Sequence, residues 1–129
     1  MEGEGNVRAW INRYLDSVNS KPKSREVLND FIRDEHLFEH IQVFERAFPR
    51  YQLKAEDVLV DGDRVAVRFT LHGTHMGELH GMAPTGKTVQ VPGIIIYRLQ
   101  DDHIVEHWMQ TDVPALMAQL TTLPEAAPV

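Results

Sequence analysis

The chain has 129 residues, enough for one domain that buries about two-thirds of the surface of its unfolded chain. Apolar residues make up 43% and charged residues 25%, which excludes a fibrous or disordered chain. With 13 basic against 19 acidic residues the formal charge is −6, and such a surface repels nucleic acid. The absence of cysteine excludes disulfides, thiol nucleophiles and thiolate metal sites. The sequence shows no signal peptide and no apolar run long enough for a membrane span, so we expect a cytoplasmic protein without membrane contact.

Three amphipathic helices are predicted before the first strand. The first ends near Asn19, Ser24 can cap the second, and the third begins at Asp34 and ends before Pro49. Residues at three- and four-residue steps supply the buried faces. These are Val7, Trp10, Ile11, Tyr14, Leu15 and Val18 in the first helix, Val27, Leu28, Phe31 and Ile32 in the second, and Leu37, Phe38, Ile41, Phe44 and Phe48 in the third.

From Tyr51 onward the hydrophobic period changes to two, which predicts strands. Asp61-Gly62 separates two alternating runs, residues 58–60 and 65–71. The pair favours a hairpin, because Asp-Gly readily supplies the positive φ angles of a tight primed turn.

A third strand is predicted over residues 88–99, a fourth over residues 103–111 and a short last helix over residues 114–120. Residues 94–96, all isoleucine, are apolar on both faces of the third strand. Since helices usually cover one face of a small sheet, we expect the other face to meet a second subunit. The end of the chain, residues 123–129, is predicted to be frayed.

Helices followed by a meandering antiparallel sheet define an α+β domain over residues 1–122. We expect the helices to lie across one face of a curved sheet and to enclose a conical pocket. Function is expected in that pocket.

Several segments together carry a family resemblance. They are residues 47–49 (Ala-Phe-Pro), 61–68 (Asp-Gly-Asp-Arg-Val-Ala-Val-Arg), 73–77 (Gly-Thr-His-Met-Gly), 81–87 (Gly-Met-Ala-Pro-Thr-Gly-Lys), Arg98 and 104–112. With them the chain resembles the SnoaL-like polyketide cyclase family, which has the cone-shaped α+β fold of nuclear transport factor 2. The resemblance implies N-terminal helices packed on a curved antiparallel sheet, a pocket for a small apolar oxygenated molecule, and no cofactor.

Two positions depart from the family pattern. Characterised cyclases of the family use an aspartate on the last strand and a histidine on the preceding strand for acid/base chemistry. Those positions correspond here to Met109 and Ile95, and neither side chain can transfer a proton. We therefore expect Met109 and Ile95 to bind ligand rather than to catalyse, and the family's aldol cyclisation does not carry over.

Two histidines are the main candidates for acid/base catalysis, because imidazole titrates near neutrality. His75 matches the family's Gly-x-His position and shares its strand face with Leu71, unless a bulge at Gly73 reverses it. The alternative for His75 is a buried histidine bonded to the backbone. His107 shares its strand face with Met109 and is the second candidate.

Three further residues are candidates for the pocket. Asp112 is either a carboxylate at the cavity mouth, acting as a third catalytic group, or a cap of the last helix. Tyr97 lies on the same strand face as Ile95, where it either contacts ligand or packs. His40 is expected to line the cavity from its helix.

His36 and His40 also form a His-x-x-Glu-His pattern, the inverted zinc-protease motif, with Glu106 as an imaginable third ligand. The pair flanks an apolar helical stripe and no other feature of the chain resembles a metalloprotease. We therefore predict no metal site.

The leading hypothesis is a cofactor-free protein that binds a small apolar molecule and, if catalytic, performs proton-transfer chemistry such as isomerisation or cyclisation. The alternative is a binding protein without catalysis, since Ile95 and Met109 occupy the usual acid/base positions. A homodimer is predicted from the residue 94–96 run and from Trp108, which faces away from the pocket.

Overall fold

The computed structural model describes residues 4–121; the predicted frayed tail lies outside the described residues. No helix among the described residues combines the length and apolarity that crossing a bilayer requires. The elements, in chain order, are α1 (Glu4–Ser20), α2 (Arg25–Leu28), α3 (Glu35–Ala47), β1 (Gln52–Asp61), β2 (Arg64–Thr74), β3 (Thr88–Gln100), β4 (His103–Thr111) and α4 (Val113–Thr121).

Helix α3 begins where the sequence predicts, because the Asp34 Oδ1 atom accepts a hydrogen bond from the Leu37 N–H at 3.2 Å. Ser24 caps α2 in the same way, by accepting from the Val27 N–H. The prediction that Phe31 and Ile32 extend α2 is wrong, since this helix ends at Leu28.

The segment that follows α2 joins the sheet instead of continuing the helix. The Ile104 N–H donates to the Phe31 carbonyl and the Arg33 N–H donates to the Ile104 carbonyl, both at 2.8 Å. Ile32 thereby forms a parallel bridge to Ile104 and stays buried. These bonds fix Asp34, the next residue, beside the first half of β4.

The strands form one antiparallel sheet in the order β1-β2-β3-β4. The first hairpin turns at Gly62 and Asp63, one residue later than the predicted pair, and Gly62 has a φ of 63°. The register shifts between Ala55 and Asp57 and again between Arg98 and Leu99. Such bulges bend a strand and increase its twist, which helps the sheet to curve around the helices.

The helices cover the inner face of the sheet, where alternate residues of the central strands are buried. On β2 these are Val65, Val67, Phe69 and Leu71. The register runs unbroken through Gly73, which pairs with Val89, so no bulge reverses the strand there. Gly73 instead allows a close approach, since a Cβ at this position would lie 2.9 Å from the Cβ of Phe48.

The outer face of the sheet carries an apolar row that crosses all four strands. The cross-strand pairs Leu59–Ala66, Ala66–Ile96 and Ile96–Trp108 are in register. Leu59 and Trp108 are 63% and 43% exposed, respectively. The guanidinium of Arg64 lies over the Trp108 ring, 5.1 Å from its centroid, and the exposure of Trp108 matches its predicted outward orientation.

Candidate functional site

A narrow cavity lies between the helices and the inner face of the sheet, and we call it the inner chamber. Its volume is about 40 Å³. Residues at positions 37, 40, 41 and 44 line it from a single stripe of α3, and the sheet supplies most of the remainder. The lining residues are Tyr14, Val18, Leu37, His40, Ile41, Phe44, Tyr51, Leu53, Phe69, Leu71, Ile95, Tyr97, Met109 and Thr111.

All four residues predicted to bind ligand lie on the wall of the inner chamber: His40, Ile95, Tyr97 and Met109. Ile95 and Met109 are directly paired across β3 and β4. The two positions that the resemblance assigns to acid/base groups therefore face the chamber as adjacent apolar side chains. Their contact with a ligand stays a prediction.

A second cavity of about 350 Å³ adjoins the inner chamber, and we call it the vestibule. Helix α4 forms part of its wall and is held there by Gln119, whose side-chain amide exchanges two 2.8 Å hydrogen bonds with the backbone of Gln90. Four residues line both spaces and form what we call the neck: His40, Phe44, Met109 and Thr111. The other vestibule residues are Leu79, His80, Met82, Gln110, Val113, Leu116 and Met117.

The three tyrosines of the chain, Tyr14, Tyr51 and Tyr97, all line the inner chamber. Burial raises the pKa of Tyr51 far above its usual range, and the nearby Tyr97 and Glu45 raise it further. Burial likewise raises the pKa of Tyr97. These phenols therefore stay protonated and can donate hydrogen bonds.

Only Tyr97 of these three was predicted as a site residue from the sequence. Tyr14 was assigned to the buried stripe of its helix, and Tyr51 marked the start of the strands. A signal was available, since a buried tyrosine usually requires a partner for its hydroxyl.

His40 lies at the neck, where its side chain is still open to solvent. Its ring stacks on Phe44, with the centroids 5.8 Å apart. Burial lowers the pKa of His40, and the neighbouring His107 and His80 lower it further. The neutral imidazole, which can accept a proton, is therefore the favoured form near neutral pH.

His107 is held by a carboxylate that also caps a helix. Its Nδ1 atom lies 2.7 Å from Asp34 Oδ2, while the other oxygen of Asp34 caps α3. Both side chains are largely buried, at 14% and 10% exposure. Since a carboxylate only accepts, Nδ1 is the donor and the ring orientation is fixed.

His107 borders a cleft that it shares with His40, and the two ring centroids are 6.4 Å apart. It does not line the inner chamber, although its strand neighbour Met109 does. The sequence predicted its face of the strand but gave no sign of Asp34, which lies 73 positions earlier.

His75 is fully buried but does not line either cavity, which corrects the expectation that it faces the pocket. Its Nδ1 atom accepts from the Thr85 N–H at 3.2 Å, and its ring packs on Phe48 with the centroids 5.3 Å apart. The proton of the neutral ring is therefore on Nε2, which has no hydrogen-bond partner among the described residues. This arrangement matches the alternative of a buried histidine bonded to the backbone.

Asp112 caps the last helix, since its Oδ1 atom accepts from the Ala115 N–H at 3.0 Å. It is exposed and lines neither the inner chamber nor the vestibule. The structure therefore does not bring His75, His107 and Asp112 together, because each has a different partner. A catalytic role for these three residues stays untested.

No group of three or more histidine and carboxylate side chains suited to a metal ion occurs within residues 4–121. His36 and His40 lie one turn apart on α3, and His36 does not line the inner chamber.

Comparison with known proteins identifies the family. A family model described as SnoaL-like polyketide cyclase matches residues 15–120. The chain therefore belongs to the SnoaL-like polyketide cyclase family. A search of curated proteins gives no match.

Solved structures share the same fold. A protein of Jannaschia sp. CCS1 assigned as a SnoaL-like polyketide cyclase has a TM-score of 0.78 and 25% identity, over 91% of this chain and 92% of its own. IdmH of Streptomyces antibioticus, assigned as a polyketide cyclase, has a TM-score of 0.72 and 26% identity. The match covers 88% of this chain and 96% of IdmH. AclR of Streptomyces galilaeus, assigned as a hydroxylase, has a TM-score of 0.79 and 24% identity. The match covers 95% of this chain and 85% of AclR, and at this identity it shows only that the fold is shared.

Proposed function

We propose that this protein binds a small, largely apolar molecule with an oxygen function in the inner chamber and vestibule, and moves protons on it without a cofactor. The observation that carries the proposal is His40, an imidazole on the wall of both spaces. Its lowered pKa favours the unprotonated ring near neutral pH, which is the form that a general base requires.

The reaction class that such a base serves is proton removal next to a carbonyl group, the first step of many isomerisations and cyclisations. The C–H bond breaks, its proton passes to the free ring nitrogen of His40, and the electron pair moves to the carbonyl oxygen as an enolate. Return of the proton to carbon completes an exchange. Of the residues predicted as catalytic, the proposal retains His107, which Asp34 orients next to His40.

A test with 2-tetralone, a bicyclic ketone with acidic α protons, needs no knowledge of the natural substrate. In deuterated buffer near pH 7, nuclear magnetic resonance follows the replacement of these protons. We expect the protein to accelerate exchange by on the order of 100-fold, which is the usual contribution of a general base. His40→Gln should reduce the rate to background, because an amide cannot accept the proton.

The control is His103→Gln, which changes a histidine that lines neither space nor the cleft shared by His40 and His107. Its exchange rate should equal that of the wild type. Equal rates in wild type and His40→Gln would refute the catalytic part of the proposal.

A second candidate function is ligand binding without catalysis. The observation that favours it is the pair Ile95 and Met109, which places two apolar side chains where characterised relatives use acid/base groups. Saturable binding of 2-tetralone without accelerated exchange would select this candidate. Absence of binding would contradict both.

We further propose that the outer face of the sheet mediates homodimerisation; a cytoplasmic location remains a prediction of the sequence. The in-register row of Leu59, Ala66, Ile96 and Trp108 supports the dimer, since large exposed apolar side chains on one face favour association. Sedimentation at micromolar concentration should show a dimer, and Trp108→Lys should shift it toward monomer. A wild-type protein that sediments as a monomer would contradict the proposal.

A further inference from the structure

The inner end of the chamber contains a distinct set of polar groups. Of the fourteen residues that line the chamber, nine are apolar. Two of the other five, His40 and Thr111, belong to the neck. The polar groups beyond the neck are therefore the phenols of Tyr14, Tyr51 and Tyr97, which are 1%, 4% and 1% exposed, respectively.

The three phenols come from different parts of the chain and converge on one space. Tyr14 is on α1, Tyr51 precedes β1 and Tyr97 is on β3. The rings of Tyr14 and Tyr97 meet edge to face, with centroids 5.6 Å apart. Burial is the main reason that the pKa of Tyr14 and the pKa of Tyr97 both lie above the usual range of a phenol.

Within the described part of the chain, no hydrogen bond joins the hydroxyl of Tyr14, Tyr51 or Tyr97 to another protein group. Buried hydroxyls are nearly always hydrogen-bonded, which leaves water or ligand as the acceptor. Phenol donors on the wall of one apolar chamber favour an oxygen with free lone pairs, such as a carbonyl or enolate oxygen.

Size restricts which part of a ligand can reach these donors. A water molecule needs roughly 10–15 Å³ of such space, so the chamber of about 40 Å³ admits on the order of three water-sized groups. The vestibule, at about 350 Å³, can hold a body of drug-like size. A ligand that uses both spaces must pass through the neck.

We propose that the phenols of Tyr14, Tyr51 and Tyr97 form a binding site for a carbonyl oxygen, so that a ketone enters the chamber oxygen first while its apolar body stays in the vestibule. The inference rests on the proposed ligand-binding function and adds a substrate class, an orientation and three binding residues. It also places the enolate oxygen of the proposed proton transfer next to donors that stabilise it.

The experiment compares 2-tetralone with tetralin, the hydrocarbon of the same shape that lacks the oxygen. The measured quantity is the ratio of the two dissociation constants, because general hydrophobic effects cancel in it. Tyr51→Phe and Tyr97→Phe should each reduce the preference for the ketone by about three- to tenfold, the usual effect of one hydrogen bond. Unchanged tetralin affinity shows that a variant is folded.

Tyr14→Phe tests the third phenol in the same way. This variant should also reduce the ketone preference while the affinity for tetralin stays unchanged.

Infrared spectroscopy provides a measurement that needs no variant. The carbonyl stretch of 2-tetralone bound to wild type should lie at a lower wavenumber than in hexane, and Tyr51→Phe/Tyr97→Phe should move it back. A bound stretch equal to that in hexane, or an unchanged ketone preference in all three single variants, overturns the inference but leaves ligand binding in place. If neither compound binds, the proposed binding function fails, and this inference fails with it.

Discussion

Replacing Lys23 by methionine tests the contact that fixes Tyr51 in the chamber wall. The buried Lys23 ammonium donates to the Tyr51 carbonyl at 2.8 Å and lies 3.3 Å from Glu45 Oε1. It also lies 4.2 Å from the centroid of the Tyr51 ring. Burial lowers the pKa of Lys23, and Glu45 opposes this effect. Methionine keeps the aliphatic stem but removes the donor and the charge.

The expected loss of stability comes from the two groups that lose Lys23 as a partner, the Tyr51 carbonyl and the Glu45 carboxylate. An orphaned buried carbonyl costs about 1–3 kcal/mol. A broken buried ion pair typically costs about 3–5 kcal/mol, but the Glu45 side chain is 26% exposed and its other oxygen keeps the hydrogen bond from the Arg50 N–H, so its share is smaller. We expect Lys23→Met to lower the free energy of unfolding by about 2–4 kcal/mol in total. Adding Glu45→Gln, which removes the unpaired charge, should restore part of that loss.

Urea denaturation followed by circular dichroism measures the change as a shift of the midpoint. The control is Lys21→Met, an exposed lysine two positions earlier, which should stay within about 0.5 kcal/mol of wild type. A loss in Lys23→Met no greater than that in Lys21→Met would refute the reasoning.

Three further outcomes are expected. His75→Ala should lower the free energy of unfolding by about 2–4 kcal/mol in urea titrations, because it leaves a cavity in a packed site and leaves the Thr85 N–H without an acceptor. The affinity for 2-tetralone should stay unchanged. Asp112→Ala should lower the free energy of unfolding by about 1 kcal/mol in the same assay, because the Ala115 N–H loses its acceptor. Deuterium exchange into 2-tetralone should not slow down. Slower exchange would restore Asp112 as a catalytic candidate. Because the folded-state pKa of His40 is lowered from 6.5, the unfolded chain binds more protons, so stability falls as pH drops through that value. His40→Gln should reduce the difference in unfolding free energy between about pH 7 and pH 5, and an equal difference in both proteins would contradict this linkage.

Local patterns in the sequence predicted much of the fold. Alternation identified the inner faces of the strands, and the Asp34 cap marked the start of α3. The pairing of residues 31–33 with Ile104 was missed, because an apolar run reads equally well as the last turn of a helix. Such a contact depends on tertiary packing rather than on local spacing.

On the sheet, the candidate site was predicted where the alternation of side chains along a strand decides it, and on the helical side His40 was predicted correctly. Alternation along β3 and β4 predicted that Ile95, Tyr97 and Met109 face the chamber, and all three line it in the structure. The same alternation also placed His75 on the inner face. Alternation does not show whether a packed turn or an open cavity lies next to the ring. The turn at Thr85 returns to His75 and fills that position.

Three of the four neck residues can change in size without a change in the phenols of the chamber. His40 and Phe44 reach it from a helix and Met109 and Thr111 from a strand. Changing the bulk of Phe44, Met109 or Thr111 should therefore alter which molecules are admitted while the tyrosines beyond them stay in place. Proteins of this kind can therefore acquire new ligands through substitutions at the neck, while the other residues of the inner chamber are kept.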